Sequence, residues 1–437
     1  MLIALSLTFT LAPRLMGETA TTQWIQKYNY CPTCVQQINE PQGMGIDKNQ
    51  NVYVGGYSQQ VDNDMNWAVV KYSSTGSFLW EARFGGAAGV NDYLYDMKVD
   101  SNTGDVYATG NSIENGPYPV YTTVKYNRYG VQQWVTHYNS FAATAWAIAI
   151  DSQGNSYVTG NSSESNTLIA TIKYDSSGVQ QWVAKYDLGG SQSGRGIAVD
   201  GFGNVYVAGY TYLAGDPYAH SVTIKYNSQG AEQWHQVYGG NSSLAALVLD
   251  PSGNVYVTGS SLAGYSSHGY LTIKYNTTGS QSWASTYEGL GNGADDARAI
   301  VYDPSSDTVA VTGGSYDTSN TSSYVTIKYD AGSGGGIWTA HYVGLGHFGG
   351  GNGITVDTAG SIYVTGGSIE GGIAYDYATV KYSRNGVQRW AVSYDGGFGS
   401  DYGYFVLVGS SGKVYVTGAS QNASGDADYA TIGYSQN

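Results

Sequence analysis

At one recurring point in this 437-residue chain, five residues before a repeated aspartate or its counterpart, the side chain changes identity from copy to copy. The series is Gln42, Tyr95, Trp146, Arg195, Ala245, Arg298, Asn352 and Tyr404. Guanidinium forks bind carboxylates, amides bind hydroxyls and aromatic faces stack on rings, so the set has the chemistry of a site for an anionic or sugar-like ligand. The residues one and three before the same aspartates are mostly Ile, Val, Leu or Met. The stripe therefore turns from uniform and apolar to varied and polar, and Gln42, Tyr95, Trp146, Arg195, Arg298, Asn352 and Tyr404 are the candidate ligand-binding residues. Loop aromatics that could stack on sugars are Trp67, Tyr118, Tyr212, Tyr218, Tyr265 and Phe348.

Side chains that repeat without variation suggest structure instead. The aspartates at 47, 100, 151, 200, 250, 303 and 357 precede tight turns, where a carboxylate accepts bonds from amides two residues on. The lysines at 71, 125, 173, 225, 274, 328 and 381, with Gly433 in the last copy, are expected over a Trp or Tyr of an adjacent strand. The tryptophans at 24, 80, 134, 182, 234, 283, 338 and 390 are expected between sheets. Cys31 and Cys34 are the only cysteines; with no following His and no second CxxC they suggest a local disulfide rather than a haem or zinc site. The acidic pairs Asp62/Asp64, Asp295/Asp296 and Asp426/Asp428 leave Ca²⁺ possible, but none has full loop-ligand spacing, so no cofactor is expected. The six histidines are scattered, and no nucleophile-base pair, metal cluster or phosphate loop is apparent.

The elements that position these residues repeat every 49 to 54 residues, counted between Tyr53, Tyr107, Tyr157, Tyr206, Tyr256, Ala310, Tyr363 and Tyr415. Each unit holds four β patterns: strand a, ending at the aspartate; strand b, VYVTG-like; strand c, TIKY-like; and strand d, QWxxxY-like. Four short strands with their turns fill the period of a propeller blade. An extra strand d stands first, at Gln23–Tyr28, and the last unit stops after strand c at Tyr434. The count predicts an all-β, eight-bladed propeller of four-stranded antiparallel blades, closed by the N-terminal strand pairing into the last blade. Strand a should be innermost. The a–b and c–d turns are short and uniform, whereas the b–c and d–a connections vary and share one face, where function is expected.

Strings such as DPSGNVYVTG, YLTIKYNTTG and VQQWVAKY resemble the bacterial secreted β-propeller repeat (SBBP) family over residues 24–434. Strands a and b also look like NHL-type repeats. The resemblance implies a propeller of exported proteins and carries over no catalytic motif.

The chain divides into an apolar segment, 1–21, and one propeller domain, 22–437. Leu2–Ala12 has the length of an export-signal core but also alternates like a strand. Read as a retained strand, Ile3, Leu5, Leu7, Phe9 and Leu11 would form a surface for assembly. A formal charge of −14 argues against nucleic acid and anionic membrane as partners, and no span follows the N-terminus. The expectation is a non-enzymatic extracellular or cell-surface module that binds proteins or copies of itself. The alternative is a propeller binding surface glycans or a small ligand; a hydrolase or lyase built around Arg195 and Arg298 ranks third.

Overall fold

The computed structural model describes residues 18–437 apart from 32–37, 61–63, 88, 115, 139–141, 165, 263–267, 290–292, 320 and 347–348. The segment carrying Ile3 to Leu11, together with Cys34, Asp62, Tyr265 and Phe348, lies outside the described residues.

Each blade starts from a hairpin that its own residues impose. In blade 5, Asp250 ends strand a (Ser242–Leu249) and its Oδ1 accepts the amides of Ser252 and Asn254, at 2.9 and 3.0 Å. Oδ2 accepts Asn254 Nδ2 at 2.7 Å and the Tyr256 hydroxyl at 3.0 Å. The same pattern holds Asp47, Asp151 and Asp200. Their carboxylates serve the turn, as the spacing suggests.

Strands a to d then pair antiparallel in order, giving eight four-stranded sheets. The eighth is built from Asp401–Val408, Val414–Gln421, Ala427–Gln436 and the N-terminal strand Ala20–Tyr28, which pairs antiparallel with Ala427–Gln436. Each strand a packs on the strands a of both neighbouring blades, and Asn39–Ile46 of blade 1 meets Asp401–Val408 of blade 8, so the ring is closed around an inner wall of strands a. Among the described residues no helix is long and apolar enough to cross a membrane.

The core lies between blades rather than within one. Tyr157 and Ile169 of blade 3, for example, share a buried cluster with Val205, Val207, Val222 and Ile224 of blade 4. The closing seam is built alike, with Tyr415 and Tyr429 of blade 8 against Val52, Val54, Ala68 and Val70 of blade 1. At the outer rim each strand-d tryptophan except Trp390 reaches the c–d turn of the next blade: Trp80 donates to the Arg128 carbonyl at 2.9 Å and Trp134 to that of Ser176 at 3.1 Å. The turn glycine makes room. Gly130 has φ +79°, and a Cβ on it would sit 2.9 Å from the Trp80 ring.

The final blade substitutes for parts it lacks. Lys71, Lys225 and Lys274 donate to carbonyls of the next blade's c–d turn. Gly433 cannot, and Lys413 from the a–b turn instead bonds the Ser74 carbonyl at 3.2 Å. Gln436 accepts from Trp390 Nε1 at 3.3 Å and from Lys381 Nζ at 3.0 Å, and donates to the Gly412 carbonyl at 2.7 Å.

Candidate functional site

The varied positions on strand a share a structural cause. In every blade the a–b register breaks between the residues flanking that position: Pro41/Gly43, Leu94/Asp96, Ala145/Ala147, Gly194/Gly196, Leu244/Ala246, Ala297/Ala299, Gly351/Gly353 and Gly403/Phe405. Gln42, Tyr95, Trp146, Arg195, Ala245, Arg298, Asn352 and Tyr404 are therefore the extra residues of eight β-bulges. A bulge re-aims one side chain without shifting the rest of the strand. Repeated eight times at the variable-loop end of the innermost strand, it forms a ring of differing groups around the channel mouth.

The sequence carries a sign of the bulge that spacing alone misses. The glycine closing each VTG-like string lies where strand a swings inward, and a Cβ on Gly259 would collide with the carbonyl of Ser243, or one on Gly160 with that of Thr144. The residue after this glycine pairs across to strand a one step beyond the bulge, as Tyr57 with Glu40, Tyr210 with Ser193, Gly314 with Asp296 and Gly367 with Gly350. That second tier decides which part of the mouth is full and which is open.

Over blades 1 to 4 the mouth is packed. Tyr95 and Trp146 rings lie 4.5 Å apart, and the Arg195 guanidinium stands 4.1 Å from the Trp146 ring and 5.5 Å from that of Tyr210. Trp146 Nε1 donates to Asn161 Oδ1 at 2.7 Å. Tyr93 stacks on Tyr95 at 6.1 Å and meets Tyr57 edge-on at 5.0 Å. Burial pushes the Tyr95 hydroxyl pKa up, with Arg195 and Asn111 opposing. Gln42 is half-buried in the same arc, and Ala245 is exposed.

Over blades 6 to 8 the second tier is small, Gly314, Gly367 and Ala419, and a cleft of about 460 Å³ opens. Its key lining groups are Asp296, Arg298, Asn352, Tyr375, Tyr402 and Tyr404. Arg298 is exposed and donates through one terminal nitrogen to Asn352 Oδ1 at 2.8 Å, while Asn352 Nδ2 donates to the Gly403 carbonyl at 2.9 Å. Arg298 enters none of the ion pairs among the described residues. Tyr375 and Tyr402 rings lie 5.1 Å apart. Burial raises the Tyr404 hydroxyl pKa, and the charge of Glu40 adds to it; Tyr375 is raised chiefly by burial. These phenols are neutral donors at physiological pH.

The seven candidate residues thus divide: Arg298, Asn352 and Tyr404 line the open cleft, while Tyr95, Trp146 and Arg195 hold one another on the packed arc, where Gln42 also lies. Tyr316, Tyr375, Tyr402 and Asp296 belong to the cleft and were not anticipated. Trp67 is a correction. It is fully buried on strand c (Met65–Tyr72), against Phe84 with ring centroids 5.2 Å apart, because it takes the core position that Tyr121, Tyr270 and Tyr324 occupy in other blades. Tyr118, Tyr212 and Tyr218 are exposed.

Cys31 is disulfide-bonded. Of the acidic pairs, Asp295 accepts the amides of Gly289 and Tyr316, and Asp428 accepts Asn29 and Asn422 side-chain amides, so both brace loops. A different acidic group, Asp376, Asp395 and Asp401, brings three carboxylates within 4.8 Å of one another.

Fold and mouth define a closed eight-bladed β-propeller with a single irregular face. Residues 146–166 and 184–212 match the SBBP beta-propeller repeat. No curated protein matches the sequence. Sqt1 of Chaetomium thermophilum is similar in structure, with TM-score 0.58 and 10% identity over 95% of this chain and 99% of that one. The quinohemoprotein alcohol dehydrogenase of Comamonas testosteroni gives TM-score 0.54 and 10% identity over 95% and 76%. Identities this low establish the fold alone.

Proposed function

We propose that the protein is a non-enzymatic, exported binding propeller that holds a saccharide-like ligand at the channel mouth. The observation that carries this reading is the set of eight bulges, which spend a backbone irregularity in every blade to display one non-repeating residue on one ring. The groups displayed at the open cleft are an arginine, an amide and phenols around a floor of small residues. Donors, acceptors and ring faces of this kind suit hydroxylated rings. Action outside the cytoplasm is supported by the disulfide at Cys31, since such bonds persist in oxidising compartments.

A glycan array probed with the purified protein tests the reading, followed by Gly314→Leu. A Cβ on Gly314 would meet nothing closer than 3.8 Å, so the variant is expected to fold and to fill the cleft. Binding that disappears in Gly314→Leu supports the proposal. Binding that persists moves the site elsewhere, and an array with no signal overturns the saccharide reading.

A further inference from the structure

Resting on that reading, we infer that the cleft of blades 6 to 8 is selective for an acidic sugar, a uronic or aldonic acid unit, whose carboxylate is taken by Arg298. Arg298 and Arg195 occupy equivalent bulge positions but are committed differently. Arg195 lies between the Trp146 and Tyr210 rings. Arg298 is exposed, carries no ion pair among the described residues, and has one terminal nitrogen engaged by Asn352. That bond is itself oriented, because Asn352 is held by the Gly403 carbonyl. The other terminal nitrogen and Nε are left to a planar, two-oxygen acceptor.

The space around it is cut to match. A Cβ on Gly350 would lie 3.2 Å from the engaged terminal nitrogen of Arg298, and one on Gly314 would lie 3.8 Å from the other. Glycine at 350 leaves room for the nitrogen that Asn352 holds, and glycine at 314 keeps the other terminal nitrogen open on its ligand side. Tyr402 packs over Gly367, where a Cβ would be 2.5 Å from one of its ring carbons, and its ring lies at the cleft beside that of Tyr375. A pyranose ring has an aromatic surface there, and its hydroxyls have Asp296 and the tyrosine hydroxyls. Asp296 also sets the charge limit. In a protein of formal charge −14, one guanidinium beside one carboxylate suits a singly charged group and disfavours a phosphate dianion.

Calorimetric titration of the whole protein with oligouronides, with neutral oligosaccharides of the same length and with their sulfated forms tests the inference, in the wild type and in Arg298→Gln. The expected result is tighter binding of the uronides than of the neutral sugars, and a loss of about ten- to a hundredfold for the uronides in Arg298→Gln that exceeds the loss for the neutral sugars. An unchanged denaturant midpoint shows that the variant is folded. Uronides and neutral sugars bound alike, uronide binding indifferent to Arg298→Gln, or sulfated forms preferred would each overturn the acid assignment while leaving a saccharide site. If no sugar binds at all, both readings fall.

Discussion

Lys328 Nζ lies 3.0 Å from Asp303 Oδ2, and both side chains are buried. In blades 3 and 7 a tyrosine of strand b stands between the corresponding pair. Tyr157 donates to Asp151 at 2.9 Å with Lys173 5.3 Å from its ring, and Tyr363 donates to Asp357 at 2.9 Å with Lys381 5.4 Å from its ring. Blade 6 has Ala310 in that place, and the lysine closes directly on the carboxylate. In blade 1 the lysine makes both contacts, Lys71 lying 4.5 Å from the Tyr53 ring and 3.5 Å from Asp47 Oδ2, whereas in blade 6, without the phenol, the buried ion pair alone remains.

The two lysines should therefore differ in cost. Lys328→Met leaves Asp303 buried without its cation and is expected to destabilise the fold by about 3–5 kcal/mol. Lys173→Met removes a ring contact and is expected to cost about 1 kcal/mol or less. Denaturant unfolding of both variants gives the comparison, and equal losses would contradict this account of blade 6.

The pH profile has two limbs. Burial alone would raise the Asp303 pKa, but bonds from Ser305, Ser306 and Lys328 outweigh it and hold the carboxyl below its usual range. Stability from such a group is present above the unfolded carboxylate pKa and lost as pH falls through the lower folded value. Asp376 is the opposite case, raised to about 6 by burial and then by the charges of Asp395 and Asp401. The folded state then binds more protons than the unfolded one between about pH 4 and 6, so stability falls as pH rises across that window. The thermal midpoint is expected to be higher at pH 5 than at pH 7.5, with Asp376→Asn reducing the difference.

Much of this architecture was legible in the sequence, and the reason is local. The orphan QWIQKY at the start and the missing strand d at the end specify closure, because an unpaired strand and an unpaired edge complement each other. The bulges were not read, although their sign was in the motif. Glycine in VYVTG passes as a strand ending, whereas its requirement is steric and set by the partner strand. Without the bulge and the second tier, Arg195 and Arg298 look equivalent, and the cleft cannot be placed.

That steric requirement can be measured at Gly259. Alanine there would drive its Cβ into the Ser243 carbonyl and to 2.8 Å from Leu244 Cα. Gly259→Ala is expected to cost on the order of 3 kcal/mol or more. Gly201, in an a–b turn with nothing within 4 Å of a Cβ, is the control. Gly201→Ala is expected to be neutral or mildly stabilising. Chemical unfolding of the pair separates a packing requirement from a general intolerance of substitution.

Gln436 braces the contact between blades 7 and 8. Its amide bonds Trp390, Lys381, Tyr363 and the Gly412 carbonyl at the seam of blades 7 and 8, where other tryptophans meet a c–d turn carbonyl. Gln436→Ala is expected to cost about 1–3 kcal/mol and to raise amide exchange first in Ala20–Tyr28 and Ala427–Gln436. Exchange that rises evenly around the ring would mean that the seam is no weaker than any other blade contact.

Finally, the two arginines at the mouth should part company by function. Arg195 is held by Trp146 and Tyr210, so Arg195→Ala removes a cation–π sandwich. It is expected to lower stability by about 1 kcal/mol, with Trp146 fluorescence altered and ligand affinity at the cleft retained. Asn352→Ala leaves Arg298 in place but releases the terminal nitrogen that Asn352 fixes. Stability should change little, while affinity falls because the guanidinium must then be ordered on binding. Measuring unfolding and ligand binding on both variants crosses the two effects. If Arg195→Ala abolished binding at unchanged stability, the packed arc would itself be the site, and the open cleft would be only the gap left by Gly314 and Gly367.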